Sequence, residues 1–399
     1  MLYAQKDNSP QLWEVKIQLK ERNVIVNLEV LTNQKQEIVS ASIFTHQEKI
    51  VFDKVETNDK TITFYLDIFD TALQFEKSNQ FSQMTGKWIR FGFKEPYEIP
   101  MIADISTIQN NALENTKKNA AKKLNGRWEV NFEDKSTAIA EFKNLETNAL
   151  AGTFLTTTGD YRFLEGFDSF ENSTNKGNFT IFGFNGASAI VVEGSFEGEN
   201  MTGTIHSGKT SIRKFTAKKN QNAQLPDAYQ ITSLKKGYDK LAFQFPNLDK
   251  KNISLEDKKF KNKVLIIQLS GSWCPNCMDE TAYISPWYDK NKKRGIEVIA
   301  LFYERSNNFE TAKTRVEKLK KRFDVNYETL IAGTNDKQTA STTLPMLNEI
   351  NAYPTTIFID KKGKVRKIHT GFSGPATGEH YLKWQEEFND FVDKLVSEK

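Results

Sequence analysis

Ser272-Trp273-Cys274-Pro275-Asn276-Cys277 contains the only two cysteines of a 399-residue chain, two residues apart. An apolar, strand-like run, Lys263-Val-Leu-Ile-Ile-Gln-Leu269, leads into it. A C-x-x-C pair at the end of a strand and the start of a helix can cycle between dithiol and disulfide. The competing reading is half of a zinc site, which needs two more Cys or His ligands at metal spacing. No third cysteine exists, and His46, His206, His369 and His380 are scattered singly. The pattern therefore favours redox chemistry, with no metal and no bound cofactor expected.

Working outward, strands and helices alternate from about Leu241. Strand candidates are Val264–Leu269, Ile296–Phe302, Thr329–Ile331, Thr355–Ile359 and Val365–His369. Helices are expected to begin at Cys274 and at about Phe309, Thr342 and Ala376. Pro286 should kink or end the first of them. Asp360-Lys-Lys-Gly-Lys364 has the composition of a hairpin turn. Parallel strands joined by helices and finished by an antiparallel hairpin give a mixed α/β sheet.

Toward the N-terminus the period changes to two. Val15, Ile17 and Leu19 alternate with polar residues, as do Val24, Val26, Leu28 and Val30, then Ile62, Phe64, Leu66 and Ile68. This marks antiparallel strands with one wet face. Further strand-like runs are Trp88–Phe93, Phe179–Phe182 and Ala189–Val192. Trp13-Glu14-Val15 reappears as Trp128-Glu129-Val130, Met84-Thr85-Gly86 as Met201-Thr202-Gly203, and Phe69-Asp70 falls near Phe184-Asn185. These anchors give a period of about 115 residues, an internal duplication longer than most solenoid repeats. The units expected are a β-rich unit at residues 1–105 and a second at 126–220, each a barrel or sandwich or both joined in one β domain 1–220. A polar stretch Gln109–Asn125 separates them as linker or short helix. A second, Lys218–Ala228, marks the main boundary; residues 221–240 read as linker and 241–399 as the α/β domain.

Composition limits the function classes. Charged residues are 27% of the chain and the net charge is only +4, which makes no case for nucleic acid. No run approaches the roughly 18 apolar residues of a membrane-spanning helix. Leu2-Tyr-Ala4 before a polar segment resembles the end of a processed secretory signal, although a charged and a full apolar region are missing.

The α/β region, roughly Phe243–Lys399, resembles the TlpA/ResA-type thiol–disulfide oxidoreductases of the thioredoxin superfamily. Four features in order carry this: Ser272–Cys277, Glu280, Tyr353-Pro354-Thr-Thr-Ile-Phe-Ile-Asp360 and the Lys362-Gly363 turn. Phe245-Pro-Asn-Leu-Asp249 followed by Ile253-Ser-Leu-Glu256 is similar to the family's opening hairpin. The segment Asn307–Asn326 stands where the family inserts an α-β element. Ala282 occupies a position where the family usually has proline. Thr157-Thr-Gly-Asp-Tyr-Arg-Phe163 resembles the β-rich region that precedes this domain in some larger relatives, and suggests no activity.

The resemblance implies a thioredoxin-like fold and assigns roles. Cys274 opens the helix, where unpaired N–H groups and the dipole favour a thiolate, and is the expected nucleophile. Cys277, one turn in, is expected to resolve the mixed disulfide. Pro354 is expected to be a cis-proline facing the pair; from the residues alone it reads as a proline starting a strand. The backbone of Tyr353 would pair with an extended substrate. Glu280, on nearly the same helix face as Cys277, is expected to move a proton if desolvated; otherwise it is an exposed first-turn glutamate. Trp273 shapes access to Cys274 or serves as an apolar anchor. Pro275 and Asn276 tune the potential. Gly371, in the loop His369–Gly378, lets a substrate backbone approach or belongs to a plain connector. His369 and His380 read as surface or packing residues, and Glu304-Arg305 as an ion pair or surface feature.

The expectation is thus a bacterial reductase of protein disulfides, periplasmic or otherwise extracytoplasmic, re-reduced by a membrane thiol donor. Two alternatives use the same residues: an oxidase or isomerase, and an envelope scaffold whose β-rich units recognise a peptide or glycan. A peroxiredoxin site needs Thr or Ser three residues before its cysteine, where Gly271 and Cys274 stand.

Overall fold

The computed structural model describes residues 10–35, 37–45, 48–77, 82–91, 97–106, 123–145 and 149–398. The suspected signal remnant at Leu2–Ala4, His46 and nearly all of the polar stretch Gln109–Asn125 lie outside these residues. The chain forms two compact units. One runs up to Phe154 and includes Phe163–Ala223; the other comprises Leu155–Arg162 and Gln224–Lys399.

Among its described residues the first unit is built of antiparallel strands, with one 3₁₀ turn at Asp67–Phe69 that takes Ile68 out of the strand expected for it. Its alternating sequences bury every second side chain, as Trp13, Val15 and Ile17 show in Gln11–Gln18, and Val24, Val26, Leu28 and Val30 in Asn23–Thr32. Among the described residues, nine of its strands form one sheet and eight form another. In both, the first strand pairs with the second and with the last: Gln11–Gln18 with Asn23–Thr32 and Tyr97–Ser106, Gly126–Phe132 with Thr137–Asn144 and Ser211–Lys219. The second sheet closes on itself through pairing of Thr137–Asn144 with Leu150–Thr156, which makes it a barrel. The first remains open and ends on the short strands Lys49–Val51 and Lys54–Thr57.

The repeated motifs occupy matching places. Trp13 and Trp128 are buried in the first strands. Met84-Thr85-Gly86 and Met201-Thr202-Gly203 lie in the strands before the last. Gly86 sits opposite Phe75, and Gly203 opposite Phe215. A Cβ would come 2.8 Å from the Phe75 ring at the first glycine and 2.3 Å from the Phe215 ring at the second, so each glycine is the floor for an aromatic side chain. Edge-to-face contacts of Trp13 with Phe64 and Phe75, at 5.8 and 5.6 Å, continue this aromatic core.

The second unit carries a five-stranded sheet in the order Glu328–Thr334, Ile296–Glu304, Val264–Ser270, Thr355–Ile359, Val365–Thr370. Val264–Ser270 lies at its centre, parallel to Ile296–Glu304 and antiparallel to Thr355–Ile359. It is buried throughout, which is why its sequence is a continuous apolar run. The expected hairpin turn is present, with Asp360 N–H donating to Lys364 O and Gly363 N–H to Asp360 O, both at 2.9 Å. The last helix, Glu379–Ser397, buries Trp384, Phe388, Val392 and Leu395 on one stripe, and Phe388 meets Trp287 and Phe358 edge-on.

Three expected elements differ. Pro286 does not end the first helix, which runs Pro275–Asn291; buried Ile284, Trp287 and Tyr288 on either side outweigh the one main-chain bond a proline cannot make. The third helix is Lys337–Thr343, N-capped by Asp336 through Thr339 N–H and stopped ahead of Pro345, rather than starting near Thr342. The last helix begins at Glu379, after a single 3₁₀ turn at Pro375–Thr377. Residues 224–240, expected as linker, run along this unit: Thr370 N–H donates to Ala228 O, Thr232 N–H to Thr370 Oγ1 and Asn348 N–H to Ser233 O.

Candidate active site

The strand Val264–Ser270 delivers the chain into a tight turn, closed by Cys274 N–H donating to Gly271 O at 3.1 Å. Cys274 is extended and caps the helix Pro275–Asn291, with Pro275 at its first position, where a missing N–H costs nothing. The Cys277 N–H donates to Cys274 Sγ at 3.2 Å. Cys274 and Cys277 form a disulfide, and both are buried, at 4% and 0% exposure. Cys274 thus sits at a helix N-terminus, where the dipole and free N–H groups favour negative sulfur.

Two groups anchor the turn. Trp273 is half-buried; its Nε1–H donates to Tyr303 O at 2.8 Å and its ring meets Tyr353 edge-on at 5.8 Å. Ser272 gives its N–H to Glu304 Oε1 at 2.8 Å and its hydroxyl to Glu304 Oε2 at 2.7 Å. Glu304 is fully buried, and burial pushes its carboxyl up against the pull of those donors. The expectation of an ion pair or surface feature at Glu304-Arg305 is therefore corrected for Glu304, which is buried and anchors the cysteine turn.

Opposite the pair, the Tyr353–Pro354 peptide is cis, and Tyr353 O lies 3.6 Å from Cys274 Sγ. The structure thus brings Cys274, Tyr353 and Pro354 to one place from segments about 80 residues apart.

Glu280 follows Cys277 by one turn and is fully buried. Thr356 Oγ1–H donates to its Oε1 at 2.5 Å and Gln268 Nε2–H to its Oε2 at 2.7 Å. Tyr327 and Thr281 extend this network to Gln268. Burial dominates over the two donors, and the Glu280 carboxyl is pushed up to about 7. A first-turn surface glutamate is ruled out by this burial. A carboxyl with that pKa can take or give a proton near neutral pH. Gln268 and Thr356, which hold it, were not singled out from the sequence; both face the helix from neighbouring strands, a relation visible only in the register Gln268↔Thr356.

Pro275 and Asn276 stand between the cysteines, as expected, and both are engaged by the segment Leu155–Arg162 of the same unit. Asn276 Nδ2–H donates to Asp160 O at 3.1 Å and Arg162 Nη1–H to Pro275 O at 3.3 Å. Gly371 N–H donates to Pro354 O at 2.9 Å, which ties the last loop to the proline. The bare face of Gly371 is filled by the backbone of Thr157 to Gly159, so its open approach serves this chain's own segment. His369 packs edge-on with Tyr229 at 4.9 Å, and burial lowers its imidazole to about 4. Neither Asp160 nor Arg162 was expected at the site, although the motif containing them stood out in the sequence.

The Redoxin family matches residues 225–381. The thiol-disulfide oxidoreductase ResA of Geobacillus thermodenitrificans is 32% identical over 117 residues, 28% of this chain and 57% of that protein. A ResA of Bacillus cereus is 30% identical over 141 residues, 35% of this chain and 73% of that protein. The chain thus spans between about half and three quarters of the length of these relatives. Among solved structures, a thiol:disulfide interchange protein of the thioredoxin family from Chlorobium tepidum is 18% identical, covers 41% of this chain and all of its own, and gives a TM-score of 0.32.

Proposed function

We propose, on the premise that the chain belongs to the ResA family of thiol-disulfide oxidoreductases, that it reduces disulfides in protein substrates outside the cytoplasm. The observation that carries the reading is the Cys274–Cys277 pair at a helix N-terminus, with Tyr353 O beside Cys274 and the buried Glu280 one turn below Cys277.

In the reduced protein, the Cys274 thiolate attacks one sulfur of the substrate disulfide. The substrate S–S bond breaks, a mixed disulfide forms, and the released substrate sulfur takes a proton. Cys277 then gives its proton to Glu280 and attacks Cys274 Sγ. The mixed disulfide breaks, the second substrate sulfur leaves as a thiol, and the protein's own disulfide remains. Two electrons pass to the substrate. A membrane-bound thiol donor, oxidised in turn, returns the pair to the dithiol. Trp273 and Tyr353 line the approach, and the Tyr353 backbone pairs with an extended substrate segment. Among the described residues, no helix is long and apolar enough to cross a membrane.

A Cys277→Ser chain retains the nucleophile but cannot resolve, and partners should stay linked to Cys274 in a thiol-sensitive complex. Recovery of no such complex from the bacterial envelope would sink the protein-substrate reading. The direction is read from the potential: below about −230 mV the pair acts as a reductase, and near about −120 mV as an oxidant.

A further inference from the structure

Leu155–Arg162 is more than 110 residues from the cysteines in sequence, yet belongs to their compact unit. It is a small hairpin in which Leu155 pairs with Asp160 and Thr156 with Gly159, closed by the Thr156 hydroxyl donating to Gly159 O at 2.7 Å. Its contacts converge on the two residues between the cysteines, with Asn276 bonded to the Asp160 carbonyl and Pro275 O to the Arg162 guanidinium.

Two further contacts fix the segment. The second guanidinium nitrogen of Arg162 lies 3.2 Å from Asp279 Oδ1, and the two side chains are only 12% and 14% exposed. Asp160 is buried; its Oδ1 accepts Arg162 N–H at 2.6 Å and its Oδ2 accepts Gly374 N–H at 2.7 Å. Asp160 therefore holds both the arginine and the loop that follows Gly371. The fit is close. Gly159 has φ +137°, and a Cβ there would fall 2.0 Å from Asn276 Nδ2; at Gly371, φ +79°, it would fall 2.8 Å from Thr157 O.

We infer that Leu155–Arg162 is a strap that sets the redox potential of the dithiol, with Arg162 as its positioning residue. Asp279 lies two residues beyond Cys277, near the helix N-terminus that must accommodate the Cys274 thiolate. Alone, its carboxylate opposes negative sulfur. The shielded guanidinium compensates that charge and holds the Pro275 carbonyl, so the reduced form is stabilised. Stabilising the reduced form makes the pair less reducing. This inference rests on the oxidoreductase reading above.

The test uses the full chain, equilibrated with a reference dithiol and its disulfide, with the cysteine state read by alkylation and mass. Arg162→Met should shift the equilibrium about tenfold toward the Cys274–Cys277 disulfide, about 30 mV more reducing. Arg162→Lys keeps the charge and should recover most of the shift. Adding Asp279→Asn to Arg162→Met should bring the equilibrium back to within about threefold of the parent. A folded Arg162→Met chain within twofold of the parent overturns the strap, as does a shift that persists undiminished in the double variant. Should Arg162→Met fail to fold, Asp279→Asn alone decides: it should move the pair severalfold toward the dithiol, and no movement overturns the inference. A parent chain whose cysteines do not exchange with the reference dithiol overturns the oxidoreductase reading, and the strap with it. A parent that cycles beside a silent Arg162→Met overturns the strap alone.

Discussion

Among the described residues, the β unit buries one carboxylate, Asp168, whereas the thioredoxin-like unit buries four: Asp160, Glu280, Glu304 and Asp360. The rest of the β unit's core is mainly aromatic and aliphatic, with Trp88, Trp128, Phe64, Phe75 and Phe154 fully hidden and His206 and a few serine and threonine hydroxyls as its other buried polar groups. Burying a carboxyl costs several kcal/mol unless donors compensate it. In the second unit each has its donors: Gly374 and Arg162 for Asp160, Thr356 and Gln268 for Glu280, Ser272 for Glu304, and main-chain N–H groups of Lys362 and Lys364 for Asp360. Three of the four touch the cysteine turn, its helix or the strap on it. The difference teaches where to look for function: one interior is organised for packing, the other accepts costly groups around a single pair of sulfurs.

The largest effect should come from the sulfur itself. Cys274→Ser leaves Cys277 buried behind the turn and should reduce exchange with a small aromatic disulfide to the uncatalysed level. Retention of a substantial rate would show that the buried carboxylates serve something other than this pair.

Glu280→Gln is next. At pH 7 the second step loses its proton acceptor, and the rate should fall about 10²-fold. The rate profile should also lose its inflection near pH 7. Stability gives an independent reading. The folded pKa lies above the ordinary 4.5, so between pH 4.5 and 7 the folded chain holds a proton that the unfolded chain has released. Parent stability therefore falls as pH rises through that window, by about 3 kcal/mol in all, and the Glu280→Gln variant should flatten the fall. Equal slopes in urea melts of parent and variant across pH 4.5–7 would refute the buried carboxyl.

Glu304→Ala should act mainly on stability. It leaves the N–H and hydroxyl of Ser272 without acceptors in a buried turn, a loss of about 1–3 kcal/mol in chemical denaturation. Exchange should slow severalfold while the inflection near pH 7 survives, because Glu280 keeps both its donors. A variant as stable as the parent would remove Glu304 from the turn's support.

These residues also mark how far the sequence could be read. The cysteine pair, the central strand, the hairpin at Asp360–Lys364 and the period-2 strands were legible because each is encoded by neighbours in the chain. Glu280 drew notice through the family resemblance and its helical spacing from Cys277, while its burial was left open by the sequence. Glu304, Gln268 and Thr356 were not, because their partners are set by strand register, which no local pattern records. Pro286 misled because its cost is local while the packing that offsets it, around Trp287 and Phe388, is not. The motif Thr157–Phe163 was conspicuous, but its destination beside Pro275 and Asn276 is a tertiary fact.

The smallest effect expected tests the other side of the comparison. Trp128 is fully buried in the β unit, and its Nε1–H donates to Leu124 O at 2.8 Å. Trp128→Phe removes that bond and part of the ring, which should lower stability by about 1–2 kcal/mol in a denaturant melt. The dithiol equilibrium of the folded chain should stay within twofold of the parent, about 10 mV. The reason is chemical: nothing that holds the cysteine turn, Glu304, Glu280 or Arg162, takes a hydrogen bond from Trp128. A displaced potential in a fully folded Trp128→Phe chain would mean that the packed interior and the redox interior are energetically linked, and the division drawn between them would have to be abandoned.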